Sequence, residues 1–193
     1  QAVLFSRSLS NELAVRFLRH LEKFSVSPVV DNGRAIVTTC EQNYKVQDES
    51  RNNNMDVLVV DNIADAIERA GVRPIKILTA AQNETLVPLM PFIREGFEDV
   101  MDFVQSAPWF YEGMAKGVSK SKSLARVCEQ LKIDPSEVMA FGDAQNDIDM
   151  LKFAGCGVAM GNACEELKAI ADEVTLDNNH DGIAAALEKH FDI

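Results

Sequence analysis

Several things are missing from this chain. No apolar run approaches the roughly 20 residues that a helix needs to span a bilayer. The opening QAVLFSRSLSNEL also lacks the charged, apolar and small-residue order of a secretory leader. Basic residues are in deficit: 19 Lys and Arg stand against 30 Asp and Glu, a net charge of -11. That balance disfavours the phosphate-tracking surface of a non-specific nucleic-acid binder, so an anionic ligand would have to meet local positive charge. The four cysteines, Cys40, Cys128, Cys156 and Cys164, form no CxxC pair and share no metal-ligand spacing with His20, His180 and His190. Buried reduced thiols are the expectation. These absences describe a cytoplasmic globular chain with no nucleic-acid or membrane partner, and 47% apolar residues suffice for one large core or two small ones.

What is present changes character along the chain. Leu13, Phe17, Leu18, Leu21 and Phe24 recur at helical spacing, which predicts an amphipathic helix from about Asn11 to Phe24. Asn32-Gly33 between two apolar runs is the signature of a hairpin, because both residues tolerate φ > 0. The polar run EQNYKVQDESRNNNMD reads as loop with at most a helical turn. After it come the strand VLVV, a helix carrying Ile63, Ala66, Ile67 and Ala70, and the strand IKILTA. A helix with Leu86, Leu89, Met90 and Ile93 follows, with Pro88 placed near its first turn, and then the strands DVMDFVQS and WFYEGMA. Mixed hairpins and helices of this kind predict an α+β layer over residues 1–112.

Residues 113–193 are more regular. A helix with Leu124, Val127, Cys128 and Leu131 on one face leads to EVMAF. The helix Ile148 to Ala154 leads to GVAM, the helix Glu165 to Ala171 leads to EVTL, and a last helix spans Ile183 to Phe191. Such alternation predicts a parallel sheet with crossover helices, so the whole chain is α/β.

Element lengths then decide what meets. A helix from Ser121 to Leu131 advances about 16 Å, and the strand Glu137 to Phe141 returns about the same distance. Lys120 and Asp143 therefore share the carboxyl edge of the sheet, where open α/β sheets hold ligands. The next helix leaves that edge and GVAM returns to it, adding Asn146, Asp147, Gly161 and Asn162. Capping is an equally good reading for Asn146 and Asp147, and Asn162 with Glu165 fits a capping box. Lys120 sits near Lys116 and Lys122, and surface lysines are usually just solvated. Asp143 precedes any cap position, so its carboxylate points into the mouth. GCGVAMG is not a dinucleotide loop, since its spacing is wrong by one and it follows a helix.

The run KGVSKSKSLARVCEQLKIDPSEVMAFGDAQNDIDMLKFAGCGVAMGNACEELKAIADEVT, with DGIAAALEKHF after it, resembles the carboxyl-terminal part of Cof-type phosphatases of the haloacid dehalogenase superfamily. The resemblance is close over Lys116 to Phe191, and residues 1–112 look like the family's α/β cap. It implies a Rossmann-like core, Mg²⁺ as cofactor and a small phosphorylated metabolite such as a sugar phosphate as substrate. Carried over residue by residue, it makes Lys120 the lysine that pairs with phosphate and nucleophile and Asn146 a phosphate-side group. Asp143 becomes a metal-ligating acid and Asp147 a second acid beside the metal.

The family's nucleophile lies in a DxDGT-like motif at the end of the first core strand, and these 193 residues begin at the cap. Two substitutes fail. Asp61 has Ile63 where the second acid belongs, and Asp147 with Asp149 would point about 200° apart on a helix. The expectation is thus a partial core, inactive alone, whose strand EVMAF presents a free edge to a missing amino-terminal segment or to a second copy. The competing readings are a non-catalytic binding module derived from such a cap and, more weakly, a phosphoryl-accepting receiver, which would need an upstream acid pair.

Overall fold

The computed structural model describes residues 6–191, and the chain divides into two compact units between Gly117 and Val118. The opening QAVLF, part of the stretch read for a leader, lies outside the described residues.

The first unit runs α1 (Asn11–Leu21), β1 (Ser27–Asp31), β2 (Ala35–Thr38), α2 (Val46–Asn53), β3 (Asp56–Val59), α3 (Ile63–Ala70), β4 (Lys76–Ala80), α4 (Asn83–Arg94), β5 (Met101–Ala107) and β6 (Phe110–Ala115). Six strands form one sheet in the order β3-β2-β1-β4-β6-β5. All neighbours are antiparallel except β2 and β3, which α2 links as a crossover. Ser10 caps α1 by accepting from the Leu13 N–H at 3.2 Å. The helix buries Ala14, Phe17, Leu18 and Leu21, and Phe17 meets Phe97 and Phe103 edge-on. The predicted hairpin forms with Val30 opposite Val37. Gly33 supplies φ +81°, and the Asn32 carboxamide accepts from the N–H groups of Arg34 and Ala35.

Three local expectations need correction. The polar run after β2 is not loop: it holds the two-turn helix α2, bounded by left-handed Lys45 and Asn54. No apolar period announces this helix, because it is held by one buried valine, Val46, and by Glu49, whose carboxylate meets Lys76 Nζ at 3.1 Å. Pro88 is not near the first turn of α4, since that helix starts at Asn83 and contains Pro91 as well. Both prolines are exposed. The boundary expected after residue 112 falls inside β6, which stays paired with β5 as far as Ala115.

In the second unit α5 (Lys120–Leu131), β7 (Met139–Gly142), α6 (Ile148–Phe153), β8 (Cys156–Ala159), α7 (Glu165–Lys168), β9 (Glu173–Val174) and α8 (Gly182–Phe191) alternate. The strands form a parallel sheet in the order β7-β8-β9. Ala140, Leu151, Ala159, Ala163 and Leu167 make its core. The face predicted for α5 is only partly used: Cys128 is buried, whereas Val127 is 41% and Leu131 58% exposed. Among the described residues β7 pairs with β8 alone.

One charged group shapes the first unit. Lys76 Nζ stands 3.1 Å from Glu49 and 3.5 Å from Glu112, and Glu112 also accepts from Ser106 Oγ at 2.6 Å. Burial pushes the Lys76 ammonium down, but the charges of Glu112 and Glu49 outweigh it and hold its pKa above the ordinary 10.5. Lys76→Met leaves those buried carboxylates without their cation. It is expected to cost about 2–3 kcal/mol in urea denaturation at pH 7, after allowance for the partial exposure of the lysine. Because the folded pKa is raised, the contribution is complete below pH 10.5 and disappears as pH climbs through the folded value, where the two stability curves should converge.

Candidate active site

The site is built where β7 ends. Gly142 closes that strand because nothing larger fits: a Cβ there would lie 2.5 Å from the Cβ of Asp147. The chain then turns through a 3-10 segment, Gln145–Asp147, into α6, and the turn folds Asp147 back beneath the strand end. Asp147 is 2% exposed. Its Oδ2 accepts from the N–H groups of Asp143 at 3.1 Å and Ala144 at 3.3 Å, and its Oδ1 accepts from Lys120 Nζ at 2.5 Å.

Lys120 is the first residue of α5. Ser119 caps the helix, its Oγ accepting from the Lys122 N–H at 3.2 Å. A helix N-terminus disfavours a cation, by about 0.3–1 kcal/mol, and the first turn of α5 carries no acid of its own. The Asp147 carboxylate offsets that penalty from another element. The lysine side chain remains half exposed while its partner is buried, so one flank of the ammonium stays open at the rim.

Asp143 stands at the same rim, exposed. Its carbonyl accepts from the Cys164 N–H at 3.0 Å, and its Oδ2 accepts from Asn162 Nδ2 at 3.2 Å. The other end of the Asn162 carboxamide accepts from the Asn178 N–H at 3.1 Å. Asn178 belongs to a tight loop in which Asp177 accepts from His180 and from the Asn179 N–H. Those two bonds hold the Asp177 carboxyl below the usual carboxylate range. The Asn146 side chain makes no hydrogen bond within the described residues and is partly buried beside this cluster.

The structure thus gathers Lys120, Asp143 and Asp147, with Asn146 in the turn between the two acids, and it redistributes their roles. Asp147, expected as a second acid beside the metal, has both oxygens engaged by N–H donors and anchors the turn and the lysine. Asp147 forms no cap bond to α6, although its Oδ2 takes the Ala144 N–H at the start of the 3-10 turn, and Cys164, not Asn162, occupies the cap position of α7. Asn162 is the residue that the sequence reading undervalued. Its arrival at the mouth was visible, but its bond to Asp143 was hidden by the capping-box spacing. Asp149, the other half of the Asp-x-Asp pair, is exposed while Asp147 is buried.

Among the described residues no group of three or more His, Cys, Asp or Glu could cage a metal ion. The donor set that does exist is all oxygen, with one exposed carboxylate. That suits a hard cation which keeps several waters, as Mg²⁺ does, and does not suit zinc.

A parallel sheet carrying an ammonium and a carboxylate at the carboxyl ends of its strands presents them where open α/β sheets hold their ligands. The haloacid dehalogenase-like hydrolase family model matches residues 1–187, and the chain belongs to that family. It is 32% identical over 133 residues to the 5-amino-6-(5-phospho-D-ribitylamino)uracil phosphatase YitU of Bacillus subtilis, a match covering 68% of this chain and 49% of that protein. It is 46% identical over 91 residues to the phosphatase YwpJ of the same organism, covering 47% of this chain and 32% of YwpJ. Among solved structures, a haloacid dehalogenase-like hydrolase from Bacteroides thetaiotaomicron superimposes with a TM-score of 0.85 at 32% identity, covering 97% of this chain and 69% of that one. The subclass IIB sugar phosphatase BT4131 superimposes with a TM-score of 0.75 at 27% identity, covering 100% of this chain and 70% of its own. The chain therefore spans about half the length of YitU and about a third of YwpJ.

Three substitutions test the anchor. Asp147→Ala strips the acceptor from two backbone N–H groups and an ammonium, and should destabilise the chain by about 3 kcal/mol in chemical denaturation. Asp149→Ala, on the exposed side of α6, should stay within about 0.5 kcal/mol of wild type. Gly142→Ala drives a methyl into Asp147 and is expected to cost about 1–3 kcal/mol.

Proposed function

We propose that this chain forms part of a Mg²⁺-dependent phosphoric monoester hydrolase of Cof type that acts in the cytoplasm on small phosphorylated metabolites such as sugar phosphates. The supporting observation is the Lys120–Asp147 pair: the buried carboxylate that holds the ammonium also accepts from the Asp143 N–H, and Asp143 stands exposed at the carboxyl edge of the parallel sheet. In this reading Lys120 binds the substrate phosphate, Asn146 adds a carboxamide on the phosphate side, and Asp143 provides the protein oxygen for Mg²⁺. The first unit serves as the cap that selects the rest of the substrate.

The electrostatics are coherent. A carboxylate nucleophile approaching a phosphate meets like-charge repulsion of about 4 kcal/mol per charge pair at 4 Å and an effective dielectric of 20. Lys120 lowers that repulsion, and Asp147 keeps its ammonium from swinging into solvent. Bound Mg²⁺ supplies further charge neutralisation on the phosphoryl oxygens.

The nucleophilic carboxylate itself comes, in this proposal, from polypeptide outside the 193 residues. Two features support the assignment: the unpaired edge of β7, and Val127 and Leu131 exposed on α5. An added strand would complete the first, and the apolar surface it brings would cover the second. A second copy paired along that edge is the alternative occupant, and it would run as a dimer in gel filtration.

The test is an assay with a generic phosphate ester and Mg²⁺. The 193-residue chain should show no turnover above background. A protein extended to include an Asp-x-Asp segment upstream of Gln1 should hydrolyse the ester, and Lys120→Ala or Asp143→Asn should then lower its rate by about 100-fold or more. Normal turnover by the 193-residue chain would mean that the nucleophile lies within it, and inactivity of the extended protein would favour a non-catalytic binding module.

A further inference from the structure

We infer that Asn162 is a positioning residue that commits one oxygen of Asp143 to the protein, so that the carboxylate meets a cation through the other oxygen alone. The inference rests on the reading of Asp143 as the metal-side acid and adds a selectivity device to it.

The Asp143 carboxylate is exposed, and an unheld carboxylate turns freely about its last bond, offering one oxygen or both. Here Oδ2 takes the amide hydrogen of Asn162 at 3.2 Å, and within the described residues Oδ1 takes none. The amide cannot turn over and reverse this arrangement. Its carbonyl end accepts from the Asn178 N–H at 3.1 Å, so a flipped carboxamide would set oxygen against carboxylate and N–H₂ against N–H.

The backbone around Asn162 is equally committed. Gly161 N–H donates to the Leu176 carbonyl at 3.1 Å, Ala163 N–H to the Met160 carbonyl at 2.9 Å, and Cys164 N–H to the Asp143 carbonyl at 3.0 Å. A Cβ on Gly161 would stand 2.8 Å from the Asp177 nitrogen, so the two segments pack main chain to main chain. That close approach is what brings the Asn178 N–H within reach of the asparagine. Asn162 is therefore held from both sides before any ligand arrives, and its hydrogen bond to a charged acceptor is of the stronger, charge-assisted kind.

The chemical consequence concerns which ion fits. Mg²⁺ demands near-octahedral geometry at about 2.0–2.1 Å, which a carboxylate satisfies with one oxygen, whereas Ca²⁺ accepts six to eight ligands and often takes both. Tying down Oδ2 favours the first mode and handicaps the second. Partners that orient a metal ligand in this way typically account for about 10–100-fold in affinity.

The experiment titrates the extended protein, which includes an Asp-x-Asp segment upstream of Gln1, with Mn²⁺ as an octahedral probe followed by electron paramagnetic resonance, with Mg²⁺ and Ca²⁺ as competitors. It compares wild type, Asn162→Ala, Asp143→Asn and the double variant, with the metal-free thermal midpoint recorded for each. Asn162→Ala should weaken Mn²⁺ binding about tenfold, shift the competition toward Ca²⁺ whatever small change the metal-free midpoint shows, and add nothing once Asp143 is Asn. A merely structural asparagine would move the midpoint and not the Mg²⁺-to-Ca²⁺ ratio. Affinity within about twofold of wild type with an unchanged ratio overturns the inference, as does a loss that persists undiminished in the Asp143→Asn chain. Absence of Mn²⁺ binding by wild type overturns the metal reading of Asp143 itself, and this inference with it.

Discussion

A single buried carboxylate organises the second unit. Asp147 is withdrawn from water, and each of its oxygens is met by N–H donors, two from the backbone that follows β7 and one from the lysine that begins α5. A buried charge is tolerated only with such partners, and the requirement runs both ways. The acid fixes the path of the chain through Asp143 and Ala144, and the same acid keeps a cation at a helix N-terminus that would otherwise disfavour it. The mouth of the sheet has its shape because this one side chain is satisfied.

Seen this way, the family resemblance and the geometry explain different things. The resemblance says which residues belong to the site, while the hydrogen bonds say which of them face inward. Of the two acids in GDAQND, one is spent on structure and the other is held at the rim by an asparagine from the next strand-to-helix turn. A motif written as letters treats the two acids alike; burial separates them.

The parts of the fold that could be read in advance are those whose signal is local. Asn32-Gly33 marks a turn through its own backbone freedom, and Phe17 and Leu21 mark a buried helical face through their spacing. Crossover alternation after Lys116 predicts the parallel sheet, and matched element lengths predict that Lys120 and Asp143 share an edge. Several of the failures share one physical cause, a partner distant in sequence. α2 is invisible because Glu49 is buried only by virtue of Lys76. The spacing puts Val127 and Leu131 on the apolar face of α5, yet no pattern in them reveals whether an element will lie over them. Asn162 looked like a cap because Glu165 follows at the right distance, whereas its actual partners are at 143 and 178.

The contact between Gly142 and Asp147 has an evolutionary implication. A side chain at the first position and a folded-back acid at the second exclude each other sterically, so the two sites cannot drift separately. A lineage that gave up the acid could fill the strand end with alanine or serine, but one that kept the acid would have to keep the strand end bare. Inserting even one residue between them would change the reach of the turn and break the linkage. The glycine thus constrains the ancestry of this loop as much as any residue that touches a ligand, although it carries no functional group of its own.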